Sequence, residues 1–183
     1  MGYRLLCLPK RIIIIGKHLK CHGRKAEMSY TREDYKRMYE ERLATVAECL
    51  ELIKSGDIIW CSNNYNEPST LFEHLHEIAD RVENVLVYKS RIRRYPFMVS
   101  PGMDGHINFA NYFYGPAYKE AHRLLNCSFV PVDLPSYYKQ VSARQEWNIF
   151  TAQVSPLTED GQLTLNQLVE GSSPSAPKFN IIM

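Results

Sequence analysis

The chain is 183 residues long, with 45% hydrophobic and 23% charged side chains. That suits one globular domain with a core large enough to need neither disulfides nor a metal. The net charge of +2 hides an asymmetry: residues 1–28 hold seven basic side chains against Glu27 alone, so the remainder sums to −4. An acidic body argues against nucleic-acid binding. No apolar run is longer than that of Ile12 to Ile15, which is too short for a membrane span or a signal peptide core. Five cysteines, none in a C-x-x-C pair, fit a reduced, cytoplasmic protein, with a mitochondrial location as the alternative.

In chain order, residues 1–28 are expected to be a basic extension, disordered or non-native. Residues 31–43 have the pattern of a charged amphipathic helix. Thr45 and Glu48 form a capping box, and Val46, Cys49, Leu50 and Ile53 follow at helical spacing, with Gly56 as a stop. Residues 57–61 (DIIWC) predict a buried strand, and residues 69–82 a helix with Leu71, Leu75, Ile78, Ala79 and Val82 on one face. Residues 85–88 predict a strand, 90–105 a long loop, 107–114 a strand, 116–125 a helix and 129–131 a short strand. A helical turn is expected over 135–141, a strand over 147–154 and the start of another over 162–165. The Ser- and Pro-rich end predicts a disordered tail over 168–183. Alternation of strand and helix implies an α/β domain with a largely parallel sheet flanked by helices, over residues 29–167, and the break after the last strand suggests truncation.

Chemistry is expected first in the loop of residues 62–68. It leaves the end of a strand and enters a helix, the edge at which α/β sheets bind ligands. Free amides at a helix start suit a carboxylate, a thioester oxygen or a phosphate. The plainer reading is that Asn66 caps the helix, Glu67 complements its dipole and Pro68 fits its first turn. Neither a dinucleotide-binding G-x-G-x-x-G nor a P-loop is present. His74 and His76 are two apart on a helix and so face apart. His106, at a loop-to-strand junction, is a possible substrate contact. Cys21 and His22 have no companion ligands, and no metal site is expected. Cys61 reads as a buried strand thiol before a nucleophile, and neither Ser142 nor Ser155 sits in a nucleophile elbow. Lys89, Arg91, Arg93, Arg94 and Tyr95 form a basic, aromatic cluster that reads as a solvated loop, with phosphate or single-stranded nucleic acid as the functional alternative.

From Thr31 to Asn166 the order of motifs resembles the acetyl-CoA hydrolase/transferase family of class I CoA-transferases, of the 4-hydroxybutyrate, butyryl and acetate CoA-transferase type. The matching pieces are YKRMYEERLATVAECLELIKSGDIIW, NEPSTLFEHL, ENVLVY, GHINFANYFYGPAYKEAHRLLNCSFVPVDLPSYYKQ and NIFTAQVSPLTEDGQLTLN. The chain departs from the family pattern at Asn66, where a glycine is common, at Asn148, where an aspartate stands, and within residues 156–161, where a histidine is missing. The resemblance covers only the N-terminal half of a typical member.

It implies a domain that helps move coenzyme A, as substrate, between a short-chain acyl-CoA and a carboxylate such as acetate. The nucleophilic glutamate and the glycine-rich CoA-binding segment of the family lie in the second half. No catalytic residue is therefore expected here, and the chain alone is expected to be inactive. Asn66, Glu67 and Pro68 correspond to a loop facing the family's site, and His106 to a recurring position. The implied partners are acyl-CoA, a short-chain carboxylate, the C-terminal half and a second copy of the chain; no nucleic acid, no membrane and no bound cofactor are expected. The alternative is a non-catalytic CoA-binding or protein-interaction module from a partial gene.

Overall fold

The computed structural model describes residues 12–13, 15–16, 31–62, 66–89, 93–133, 136, 148–159, 161, 163 and 181–182. The centre is a sheet of five parallel strands in the order β8-β4-β5-β6-β7: β4 is Ile58–Cys61, β5 Val85–Lys89, β6 Ile107–Asn111, β7 Cys127–Phe129 and β8 Ile149–Thr151. The expected α/β class holds. The parallel strands read as short apolar runs because both faces are buried.

The helices are α1 (Arg32–Glu40), α2 (Val46–Leu52), α3 (Ser69–His74) continued by a 3-10 helix (Leu75–Arg81), α4 (Pro96–Val99) and α5 (Pro116–Arg123). All except α1 contribute to one core against a single sheet face, where Ile59, Val87, Phe109 and Ile149 meet Leu50, Leu71, Phe72, Leu75 and Phe97. The opposite face holds a second buried cluster of Trp60, Tyr88, Ala110, Tyr112 and Phe150. Strands β4 to β7 wind in one direction, and β8 returns to the far side of β4. The order therefore reverses at β4, and its C-terminal end is the topological switch point where such sheets open a crevice.

Local chemistry explains the element ends. The expected capping box at the start of α2 is present, with the Thr45 hydroxyl accepting from the Glu48 N–H and the Glu48 carboxylate accepting from the Thr45 N–H. A second box, Thr31 with Asp34, opens α1. At the other end of α2 the Arg81 guanidinium donates to the Leu50 and Ile53 carbonyls at 2.7 and 3.0 Å. Gly56 is a turn residue rather than the helix stop. It follows four residues after Leu52, adopts φ +80° and donates its N–H to Glu83.

The loop expected over 90–105 contains α4, one helical turn that buries Phe97 and Met98. The strand expected over 147–154 is limited to β8, and that over 129–131 begins earlier, at Cys127. The turn expected at 135–141, apart from Ser136, and the start of a strand at 162–165, apart from Leu163, lie outside the described residues. Within the basic extension, β1 (Ile12–Ile13) pairs antiparallel with β3 (Leu43–Ala44). Strand β2 (Ile15–Gly16) pairs with β9 (Ile181–Ile182), which itself lies parallel beside β8. The rest of the extension and tail is outside the described residues. Among the described residues no helix is long and apolar enough to cross a membrane.

Candidate ligand-binding edge of the sheet

Register places a row of polar side chains across the C-terminal ends of the central strands. Thr151 on β8 pairs with Cys61 on β4, and Lys89 on β5 pairs with Asn111 on β6. Cys61 stands one step beyond the Trp60–Tyr88 pair, which brings it beside Lys89. All four are buried. A lysine at the end of a strand is tolerated in such a place only with a partner.

The partner is Glu67, from the loop after β4. Lys89 Nζ lies 3.0 Å from Glu67 Oε1, and the two side chains are 0% and 4% exposed. Nζ forms no hydrogen bond of good angle, yet opposite charges at this separation in a dry site attract strongly. The ammonium also stands 5.9 Å from the centre of the Phe72 ring. Glu67 has two further contacts with Arg93: the Arg93 backbone N–H donates to Oε1 at 3.1 Å, and Arg93 Nε is 3.9 Å from Oε2. Glu67 thus joins the end of β4 to the segment after β5.

The Tyr95 hydroxyl lies beside Ser69 and Glu67, and burial pushes its pKa up. Burial likewise raises the Cys61 thiol to about 11, despite the Lys89 charge beside it. Cys61 is therefore a neutral thiol at physiological pH and not an activated nucleophile. Asn111 closes its own turn, its side-chain amide donating to the Phe113 carbonyl while its Oδ1 accepts from the Phe113 N–H.

The expected site residues separate. Asn66, Glu67 and Pro68 lie at this edge. Asn66 is buried, and its carbonyl accepts from the Gln153 N–H at 2.7 Å, which ties the loop to the segment that follows β8. Pro68, not Asn66, occupies the cap position of α3, and its side chain makes no capping bond. Glu67 is committed to Lys89 rather than to the helix dipole. His106 stands at the opposite edge, before β6, where its Nδ1–H donates to the Val82 carbonyl at 2.9 Å. It does not approach the Glu67 loop. Asn148 is also at that far edge: its side-chain amide donates to Asp57, and its Oδ1 accepts from the Ile58 N–H at 2.6 Å.

The basic cluster is not a uniformly solvated loop. Lys89 and Tyr95 are buried, Arg94 pairs with Glu120 at 2.9 Å, and Arg91 lies outside the described residues. Lys89, Asn111 and Thr151 were legible in one respect only: each apolar strand run ends on a polar residue. Among the described residues no three His, Cys, Asp or Glu side chains group as a metal site would require.

No family model and no curated protein matches the chain. Several solved structures do. RipA from Yersinia pestis superposes with a TM-score of 0.61 at 19% identity, over 68% of this chain and 32% of the RipA chain. One RipA mutant reaches a TM-score of 0.65 at 20% identity, over 72% of this chain and 32% of its own. The chain thus spans about a third of the structures it matches, and at this identity the likeness is one of fold.

Proposed function

We propose that the chain is the N-terminal domain of a CoA-transferase that moves coenzyme A between a short-chain acyl-CoA and a carboxylate such as acetate, and that it is inactive without a C-terminal half. The observation that carries the reading is the position of the Asn66–Glu67–Pro68 motif. It follows β4 at the switch point of a parallel sheet and is anchored by a buried ion pair. This is where a ligand would be expected, and the motif order from Thr31 to Asn166 resembles that of the acetyl-CoA hydrolase/transferase family. Among the described residues of this edge, Glu67 is engaged by Lys89 and Arg93, and Cys61 is a neutral buried thiol.

The test is an acetyl-CoA:carboxylate exchange assay on the chain alone and on the chain mixed with the C-terminal half of a family member. Activity in the mixture only is the expected result. Turnover by the chain alone would overturn the division of labour, and none in either sample would favour the second reading, a non-catalytic CoA-binding or protein-interaction module. That reading draws on the exposed ring of Phe129 on β7, the outermost strand on its side of the sheet.

A further inference from the structure

We propose that Arg93 is the anion-docking residue of this edge, its guanidinium receiving an oxyanion of the ligand, either a carboxylate or a phosphate. The inference rests on reading the Glu67 loop as ligand-facing. The cations near the site divide by how their donors are used. Lys89 is sealed inside with Glu67. Arg94 donates through Nε and a terminal nitrogen to the Glu120 carboxylate at 3.2 and 2.9 Å.

Arg93 differs. Its root is fixed, because its backbone N–H donates to Glu67 Oε1. Its side chain is 73% exposed, and its one approach to an acid among the described residues is Nε at 3.9 Å from Glu67 Oε2. Among the described residues, the two terminal nitrogens of the fork have no hydrogen-bond or ion-pair partner. They are the geometry that grips a carboxylate or phosphate with two parallel bonds. Charge points the same way: among the described residues of this edge, Glu67 alone faces Lys89 and Arg93, an excess of one positive charge. Glu67 therefore acts as the tether that holds Arg93 in place, and the ligand meets the arginine.

The experiment is isothermal titration of the full 183-residue chain and of Arg93→Gln, Arg93→Lys and Arg94→Gln with CoA, with pantetheine, which lacks the phosphates, and with acetate. The expected result is binding by the wild type that weakens about tenfold or more in Arg93→Gln, a loss in line with removing a charged hydrogen-bond donor. Arg93→Lys should recover part of it, and Arg94→Gln should bind as wild type. Loss confined to CoA identifies the phosphate as the bound group, and loss for acetate identifies the carboxylate. Unchanged CoA binding by Arg93→Gln, with a wild-type circular dichroism melt, overturns the role of Arg93 and leaves the CoA reading standing. Acetate binding lost in Arg93→Gln, without CoA binding by any variant, supports the anion site and removes the CoA reading. Absence of binding for all three compounds removes both.

Discussion

Lys89 and Glu67 meet at 3.0 Å with both side chains buried; Lys89 ends β5, and Glu67 lies in the loop that follows the adjacent parallel strand β4. A buried pair of this kind adds little stability over an apolar pair of the same shape, but removal of one member leaves an uncompensated charge. Lys89→Met should therefore cost about 3–5 kcal/mol. Adding Glu67→Gln should return a large part of that loss. The measurement is a double-mutant cycle by urea denaturation. Additive losses in the two single variants would mean that water screens the pair, and the buried description of this edge would fail.

This pair also marks the limit of what the sequence discloses. Ile58–Cys61 and Val85–Lys89 were legible as strands because parallel strands buried on two faces need unbroken apolar runs. The capping box at Thr45 and the Leu71, Leu75 and Ile78 face were legible because they depend on neighbours within a turn or two. Lys89 was not. A lysine after an apolar run reads as the point where a strand meets water, and its burial depends on a carboxylate 22 positions earlier in the chain.

The separation of His106 from Asn66 has a similar cause. Both adjoin strand ends, but one precedes β6 and the other follows β4, and parallel strands put those ends at opposite edges. Helix α4 escaped notice because four residues, Pro96 to Val99, are too few to show a helical period. What remains local is readable; what depends on register across the sheet is not.

The three cysteines of the described residues, Cys49, Cys61 and Cys127, are free and buried. Burial raises their thiols to about 11, 11 and 12 from an ordinary value of 9.0. Each folded thiol holds its proton more tightly than its unfolded counterpart. The unfolded chain therefore binds fewer protons once the pH passes about 9. The stability they contribute is complete below pH 9 and is lost as the pH rises from about 9 to about 11 for Cys49 and Cys61 and to about 12 for Cys127. Urea midpoints measured at pH 8, 9, 10 and 11 should fall across that window, and Cys61→Ala should fall less steeply. Peptide mapping after iodoacetamide at pH 8 should find these three thiols modified only in denatured protein. Rapid native labelling of Cys61 would show that the edge is open to solvent and that the thiol is activated.

Leu125 closes α5 in the left-handed region at φ +61° and is 69% exposed. Its N–H donates to the His122 carbonyl and the Asn126 N–H donates to the Ala121 carbonyl, the bond pair of a Schellman end in which the left-handed residue is usually glycine. A leucine there carries steric strain at its Cβ and, being exposed, gains little from burial in return. Leu125→Gly removes the strain but gives the unfolded chain more freedom, so the two effects oppose. The strain exceeds the entropy, by about 0.5–1 kcal/mol, because a left-handed turn costs an ordinary residue roughly 1–2 kcal/mol. Thermal melts should therefore show Leu125→Gly with a higher Tm than the wild type by a few degrees. Leu125→Asn, which tolerates the same conformation, should fall between them. A lower Tm for Leu125→Gly would mean that the leucine side chain is buried against something in solution and contributes packing there.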